Sequence, residues 1–212
     1  SLSLYPGEIV GLVGRSGAGK STLIKILVGH YQADSGKIFF KGKNITRHQR
    51  VLQKHIGYTT QDGSFYEKLT IKENMFYYAS LYDLPRQEQA HKINELLALV
   101  KLDSHADSLA GDISGGMKRR LDFALSLLHD PEIIILDEPT TGLDPVLVDI
   151  FWSVVHTIAQ QRKFTILISS HMLSEIEKHC DRALILSQGK IVYDGKITSR
   201  TNVAELFKRH TA

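Results

Sequence analysis

Nine consecutive residues, Gly14-Arg15-Ser16-Gly17-Ala18-Gly19-Lys20-Ser21-Thr22, carry the strongest chemical signal in the chain. Their G-x4-G-K-[ST] spacing is that of a phosphate-binding loop, or P-loop. Glycines let the backbone turn tightly enough for successive N–H groups to point at phosphate oxygens, and a helix starting there adds favourable partial charge. Lys20 would reach the β- and γ-phosphates of a nucleotide, and Ser21 would ligate magnesium. The second signal is Ile133-Ile134-Ile135-Leu136-Asp137-Glu138. A buried apolar strand ending in an acid fits the element whose Asp, here Asp137, holds magnesium through water. Neighbouring carboxylates repel, so Asp137 and Glu138 ionise together more easily beside a divalent cation. Glu138 is then placed to take a proton from an attacking water. A third segment, Ile113-Ser114-Gly115-Gly116-Met117-Lys118-Arg119-Arg120, enters a helix with Ser114 as N-cap. Gly115 and Gly116 allow another backbone or an anion to approach closely. Taken alone, this third segment is an ordinary helix start.

These residues need a scaffold, and the sequence supplies one. Strand-like runs rich in Val and Ile occur at Ile9–Val13, Lys37–Phe40, Ile56–Thr59, Ile133–Leu136, Thr165–Ile168, Ala183–Leu186 and Lys190–Tyr193. Helical patterns lie at Lys20–Val28, Ile71–Leu81, Arg86–Val100, Gly115–Leu128 and Leu147–Ala159. Apolar strands alternating with helices predict an α/β fold with a mainly parallel sheet flanked by helices. Residues 65–129 break that rhythm, being helical throughout, and are expected to form an inserted helical subdomain. Residues 1–64 and 130–212 then make the core of a single domain, 1–212. The last two strands, joined by Ser187-Gln188-Gly189, are expected to form a hairpin.

Composition narrows the function classes. A chain of 212 residues, 42% hydrophobic and 23% charged, is globular rather than disordered. No apolar run approaches the roughly 18 residues of a membrane helix, and the first residues have no signal-peptide pattern. A single cysteine, Cys180, forbids an internal disulfide and fits a reducing compartment. A net charge of +3 is too small to argue for nucleic acid. The chain lacks an initiator Met and opens almost directly on a strand, as a fragment would.

Taken together and in this order, the motifs resemble those of the nucleotide-binding domain of ATP-binding cassette (ABC) transporters, across essentially the whole chain. Gly14–Thr22 matches Walker A, Ile133–Glu138 Walker B and Ser114–Met117 the family signature. Gln61 matches the Q-loop glutamine, Gly142-Leu143-Asp144-Pro145 the D-loop and His171 the switch histidine. The resemblance implies a P-loop NTPase fold with a partial antiparallel β part, the family's N-terminal strand lying upstream of Ser1. It implies ATP and Mg2+ as cofactors. Gly14, Arg15, Ser16, Gly17, Ala18, Gly19, Lys20, Ser21 and Thr22 would cradle the nucleotide, with Gln61 and, across a dimer, Ser114, Gly115 and Gly116. Glu138 would be the general base, with Lys20 and His171 on the γ-phosphate. Ser21 and Gln61 would ligate magnesium, and Asp137 would hold its water shell. The partners implied are a second ABC domain, identical or related, packed head to tail, and a transmembrane permease, with no nucleic acid. The location implied is the cytoplasmic face of the cell membrane.

Two departures from the family pattern stand out. Met117 replaces the usual signature Gln and cannot hydrogen-bond as Gln does; Gly-Gly-Met-Lys-Arg-Arg resembles the branch serving ABC-2 type exporters. No residue occupies the position of the family's adenine-stacking aromatic, which lies upstream. The main alternative is a soluble ABC ATPase of translation or DNA maintenance, but such members usually carry two cassettes or a long coiled-coil insertion, and the chain shows neither.

Other groupings read more plainly. His171, Glu175 and His179 fall at i, i+4, i+8; the switch role accounts for His171, and the other two are expected on a solvated helix surface. Trp152 and Tyr5 are expected to pack inside, and Asn44-Ile45-Thr46 is an idle glycosylation sequon. Phe65, Tyr66, Phe76, Tyr77, Tyr78 and Tyr82 crowd one stretch. Ile71, Met75, Tyr78 and Tyr82 recur at helical spacing as a buried stripe, whereas Phe76 and Tyr77 fall off it and suit a docking groove for the membrane subunit.

Overall fold

The runs of β-branched residues build the centre of the fold. The structure, a computed structural model, describes residues 1–61 and 63–211. Its first half contains β1 (Ile9–Val13), α1 (Lys20–Leu27), β2 (Phe39–Phe40), β3 (Lys43–Asn44), α2 (Arg50–Gln53), β4 (Ile56–Thr59), α3 (Ile71–Leu81) and α4 (Arg86–Leu99). After a 3₁₀ turn at Asp103–His105 follow α5 (Gly115–Ser126), β5 (Ile133–Asp137), α6 (Pro145–Arg162) and β6 (Thr165–Ser170). The chain continues with α7 (Leu173–His179), β7 (Arg182–Ser187), β8 (Lys190–Lys196) and α8 (Val203–Thr211).

The main sheet runs β4-β5-β6-β1-β7-β8, parallel throughout except for the last, antiparallel pair. All residues of β1 and β6 are buried, because helices cover both faces. Alternate side chains feed two cores. Ile9 and Val13 join Phe123, Phe151 and Trp152 beneath α3–α8, whereas Val10 and Leu12 join Ile24 of α1 and Leu184 on the opposite face. Where α5 crosses β4 the fit is close: a Cβ on Gly57 would stand 2.2 Å from the Ser126 carbonyl oxygen, so only glycine is tolerated.

The parallel sheet, the helices between residues 65 and 129 and the β7–β8 hairpin follow the sequence expectation. Gln188 (φ 48°) and Gly189 (φ 74°) supply the hairpin's left-handed turn. Other expectations are corrected. The Lys37–Phe40 strand shrinks to β2, a two-residue strand paired with β3 across the Lys41-Gly42 turn, because the ladder stops at Ile38, whose N–H donates to the Thr46 hydroxyl (2.8 Å). Helices α2 and α8 were not expected; α8 is short and rests Leu206 and Phe207 on the core. The buried stripe of α3 is Ile71, Asn74, Met75 and Ala79. Tyr82 leaves it because the helix ends there, with Asp83 at φ 56°, and its ring stacks on His129. Tyr5 is exposed rather than packed inside, lying under the Arg182 guanidinium. Trp152 is fully buried, as expected.

Candidate functional site

Strand register decides which residues meet. Val13 of β1 aligns with Ser170 of β6, and Asp137 of β5 aligns with Ser169. Three parallel strands therefore end level, and the segments leaving them (Gly14 onward, Glu138 and His171) emerge at one edge. In open parallel sheets ligands bind at this carboxyl edge.

The loop after β1 is built on glycine geometry. Gly17 and Gly19 take φ of 77° and 103°, and a Cβ on Gly14 would lie 2.7 Å from the Leu186 carbonyl oxygen. The Ala18 N–H closes the turn on the Arg15 carbonyl (3.0 Å), and the Gly189 N–H of the β7–β8 hairpin braces it by donating to the Ala18 carbonyl (2.9 Å). Gly19 caps α1 with no side chain, so first-turn N–H groups face outward without a side-chain cap. Lys20 opens the helix. Its Nζ is buried, donates to the Gly14 carbonyl at 2.9 Å and lies 3.5 Å from Glu138 Oε1.

Glu138 sits in the left-handed region, at φ 50°, an uncommon place for a non-glycine residue. Its N–H is held by the Ser169 hydroxyl (2.9 Å) and carbonyl (3.2 Å). Its Oε2 accepts from the Thr141 hydroxyl at 3.2 Å and lies 3.3 Å from His171 Nδ1. Asp137 is buried and accepts a 2.6 Å hydrogen bond from the same Ser169 hydroxyl. One serine thus holds the Asp137 carboxylate and the Glu138 backbone.

A cavity of about 570 Å³ opens among these groups. Ser16, Gly17, Gly19, Lys20, Ser21 and Thr22 line one wall, with Gln61, Glu138 and His171 opposite. Gly14, Arg15, Ala18 and Asp137 shape the loop or strand end without lining it. Polyphosphate suits this wall, which offers uncapped helix N–H groups and a buried ammonium. Ser21, Gln61 and Asp137 bring only oxygen donors, the set a hard cation such as magnesium takes.

Ser114, Gly115 and Gly116 lie apart from the cavity. Ser114 caps α5 by accepting the Met117 N–H at 3.3 Å, and a Cβ on Gly116 would press to 2.9 Å on Leu147 Cδ2 of α6. Met117 leans on the core. Lower on α5, Arg119 donates to the Gln61 carbonyl at 2.6 Å, and Asp122 accepts the Ser64 N–H at 2.8 Å. Burial raises the Asp122 carboxyl to about 6, opposed by the Ser64 hydrogen bond and the Arg119 charge.

Sequence reasoning missed Ser169, Arg119 and Asp122. The only available signal for Ser169 was its place two residues before His171, since its role depends on strand register. It also misread the face of α7: Glu175 and His179 are half-buried. Glu175 Oε2 accepts from the Thr140 hydroxyl (2.8 Å) and the Trp152 indole N–H (3.1 Å), and His179 stacks on Trp152 with ring centroids 4.4 Å apart. The reason is that α6 runs alongside and covers that face. Phe76 packs against the core, whereas Tyr77 stays exposed edge-on to exposed Tyr66.

The fold and the cavity define a P-loop nucleotide-binding domain. The sequence profile described as ABC transporter matches residues 1–141, and the chain belongs to that family. It is similar to the bacitracin transport ATP-binding protein BcrA of Bacillus licheniformis, 38% identical over 192 residues that cover 91% of this chain and 62% of BcrA. It is likewise similar to the Nod factor export ATP-binding protein I of Rhizobium sp. (strain N33), 35% identical over 195 residues, 92% of this chain and 64% of that protein. The chain therefore spans less than two thirds of these relatives. Among solved structures it resembles an ATP-binding subunit of an ABC transporter, with a TM-score of 0.85 and 27% identity over 100% of this chain and 91% of that one. It also resembles CbiO1 of Clostridium perfringens, part of the ABC transporter complex CbiONQ, with a TM-score of 0.86 and 26% identity over 98% and 82% of the two chains.

Proposed function

We propose that this chain is the ATP-hydrolysing part of an exporter, working with a separate membrane subunit. The observation carrying this reading is the meeting of Lys20, Glu138 and His171 over one cavity, with Glu138 within 3.5 Å of both the Lys20 ammonium and the His171 ring. Phosphoryl transfer to water depends chiefly on positioning and charge stabilisation, and these are the means the cavity offers. Residues of the Gly14–Thr22 loop bind the phosphates through backbone N–H groups and Lys20. Glu138 orients the attacking water and accepts its proton, and His171 holds the γ-phosphate side of the cavity. Ser21 and Gln61 would hold Mg2+, with Asp137 ordering its water, and the bound ion would neutralise charge on the leaving phosphates.

Ser114 and Gly115 are exposed and lie outside the chain's own cavity. That supports a head-to-tail dimer in which a second copy, or a relative, completes the site with Ser114, Gly115 and Gly116. Residues 65–129 form the helical subdomain in this reading, carried by the core of 1–64 and 130–212. Its exposed Tyr66 and Tyr77 are the surface for the permease. No helix among the described residues is long and apolar enough to cross a membrane; in this reading the chain sits at the cytoplasmic face of the membrane against that subunit. Export systems are named among the relatives, which favours export. The test is phosphate release from ATP with and without Mg2+, alongside Glu138→Gln. Magnesium-dependent turnover that Glu138→Gln abolishes supports the reading; equal turnover in both proteins rules it out.

A further inference from the structure

Glu138 holds a strained backbone, and such a conformation persists only where its surroundings over-determine it. The structure shows what does so. On the N-terminal side, the Glu138 N–H is bound by Ser169 at the end of β6. Two residues after Glu138, the Thr140 hydroxyl donates to Glu175 Oε2 on α7 at 2.8 Å. Ser169 and Glu175 flank His171 on one continuous segment, so the proposed base is tied on both sides to the stretch that carries the switch histidine. The same Glu175 oxygen also accepts the Trp152 indole N–H at 3.1 Å. Trp152 belongs to α6, the helix that Asp144 of the D-loop caps with a 3.0 Å hydrogen bond to the Leu147 N–H.

Three segments therefore converge on one carboxylate oxygen: the turn after β5, helix α6 and helix α7. Thr140 and Trp152 are buried, and Glu175 is half-buried with no cationic partner among the described residues. A carboxylate in this setting would cost desolvation unless its hydrogen bonds were kept. We infer that Glu175 is a positioning residue for ATP hydrolysis, setting the distance between Glu138 and His171 by clamping Thr140 and Trp152. The inference rests on the proposed hydrolytic role of this site. Glu175 lies outside the cavity lining and acts through the residues it holds.

A clamp of this kind acts on the chemical step and leaves phosphate binding, on the far wall, alone. The experiment measures ATP turnover and ATP affinity for the chain and for Glu175→Ala, Glu175→Gln, Thr140→Val and the Glu175→Ala/Thr140→Val pair. Glu175→Ala is expected to lower kcat by about tenfold or more with KM and ATP affinity within about twofold. Thr140→Val, which keeps the side-chain shape, should reproduce the loss should the first variant fold poorly. Glu175→Gln retains an oxygen that can accept both donors and should stay within about threefold of the parent. The pair should be no worse than the poorer single variant, since both break one link. Trp152 is the only tryptophan in the chain, so its emission should shift in Glu175→Ala and remain parental in Glu175→Gln. Parental kcat in Thr140→Val, or a Gln variant as poor as Ala, overturns the clamp while hydrolysis by the parent stands. A parent chain that binds ATP and never hydrolyses it overturns the clamp and the proposed function together.

Discussion

Two helices of this protein begin after glycine-bearing motifs, and they begin differently. α1 starts at Gly19, which offers no side chain to its first turn, and a buried lysine follows immediately. α5 starts at Ser114, whose hydroxyl satisfies the Met117 N–H, with two glycines behind it. The first end has a cavity in front of it and charged groups opposite; the second begins at exposed Ser114 and Gly115, which line no part of that cavity. Unsatisfied helix N–H groups invite an anion, whereas a self-capped end is already content in water. The two motifs are therefore not equivalent: in the proposed reading one takes phosphate inside this chain and the other meets a second chain.

The sharpest way to break that contrast is at the α1 site. Glu138→Gln should lower turnover by about 10²–10⁴-fold with ATP binding retained, because only the proton acceptor changes. It should also accumulate an ATP-bound dimer, detectable by size-exclusion chromatography. Lys20→Ala should weaken ATP binding itself by about 10- to 100-fold, the value of a charge-assisted contact, as read by calorimetry. A comparable loss of binding from any change at Ser114 in the monomer would erase the distinction between the two helix starts.

The next effect concerns how α5 is held. The Asp122 carboxyl is raised to about 6 by burial, from an ordinary value near 4. A raised folded-state value means that its contribution to stability is complete below about pH 4 and is lost as pH climbs through 6. Asp122→Asn removes that loss and keeps an acceptor for the Ser64 N–H. The variant should be more stable than the parent at pH 8 by on the order of 2 kcal/mol, the gap closing towards pH 4, as followed by urea denaturation. Smaller still, Ser114→Ala should cost about 1 kcal/mol of stability through the lost cap. It should leave monomer ATP affinity unchanged and depress turnover only where two chains meet, which a concentration series of ATPase activity would reveal.

Much of this was legible because sequence-local physics fixed it. The P-loop glycines, the strand ending in Asp137-Glu138 and the Ser114 N-cap of α5 are all short-range patterns. The family motifs then supplied Gln61 and His171. What could not be read depends on register and on which helix lies beside which. Ser169 holds the Asp137 carboxylate and the Glu138 backbone only because β5 and β6 pair Asp137 with Ser169. Glu175 and His179 look solvent-facing at helical spacing, and become half-buried only because Trp152 of α6 packs over them. Phe76 and Tyr77 are adjacent, yet the turn of the helix between them leans Phe76 on the core and leaves Tyr77 exposed. Asp122 carried no signal, since a lone acid on a helix is ordinarily at the surface.

The contact between Gly57 and Ser126 turns α5 into a lever. Its C-terminal end is pinned against β4 at backbone distance, with no side chain between them to slide or compress. Its N-terminal end begins at exposed Ser114 and Gly115. A rigid helix of 12 residues is about 18 Å long, so a tilt of about 10° about the pinned end would sweep Ser114 through about 3 Å. Arg119 and Asp122, gripping the Gln61 and Ser64 backbone part-way along, are where a small displacement of that loop would be applied to the arm. A glycine in the edge strand β4 thereby becomes the fulcrum, and any larger residue at position 57 would move it.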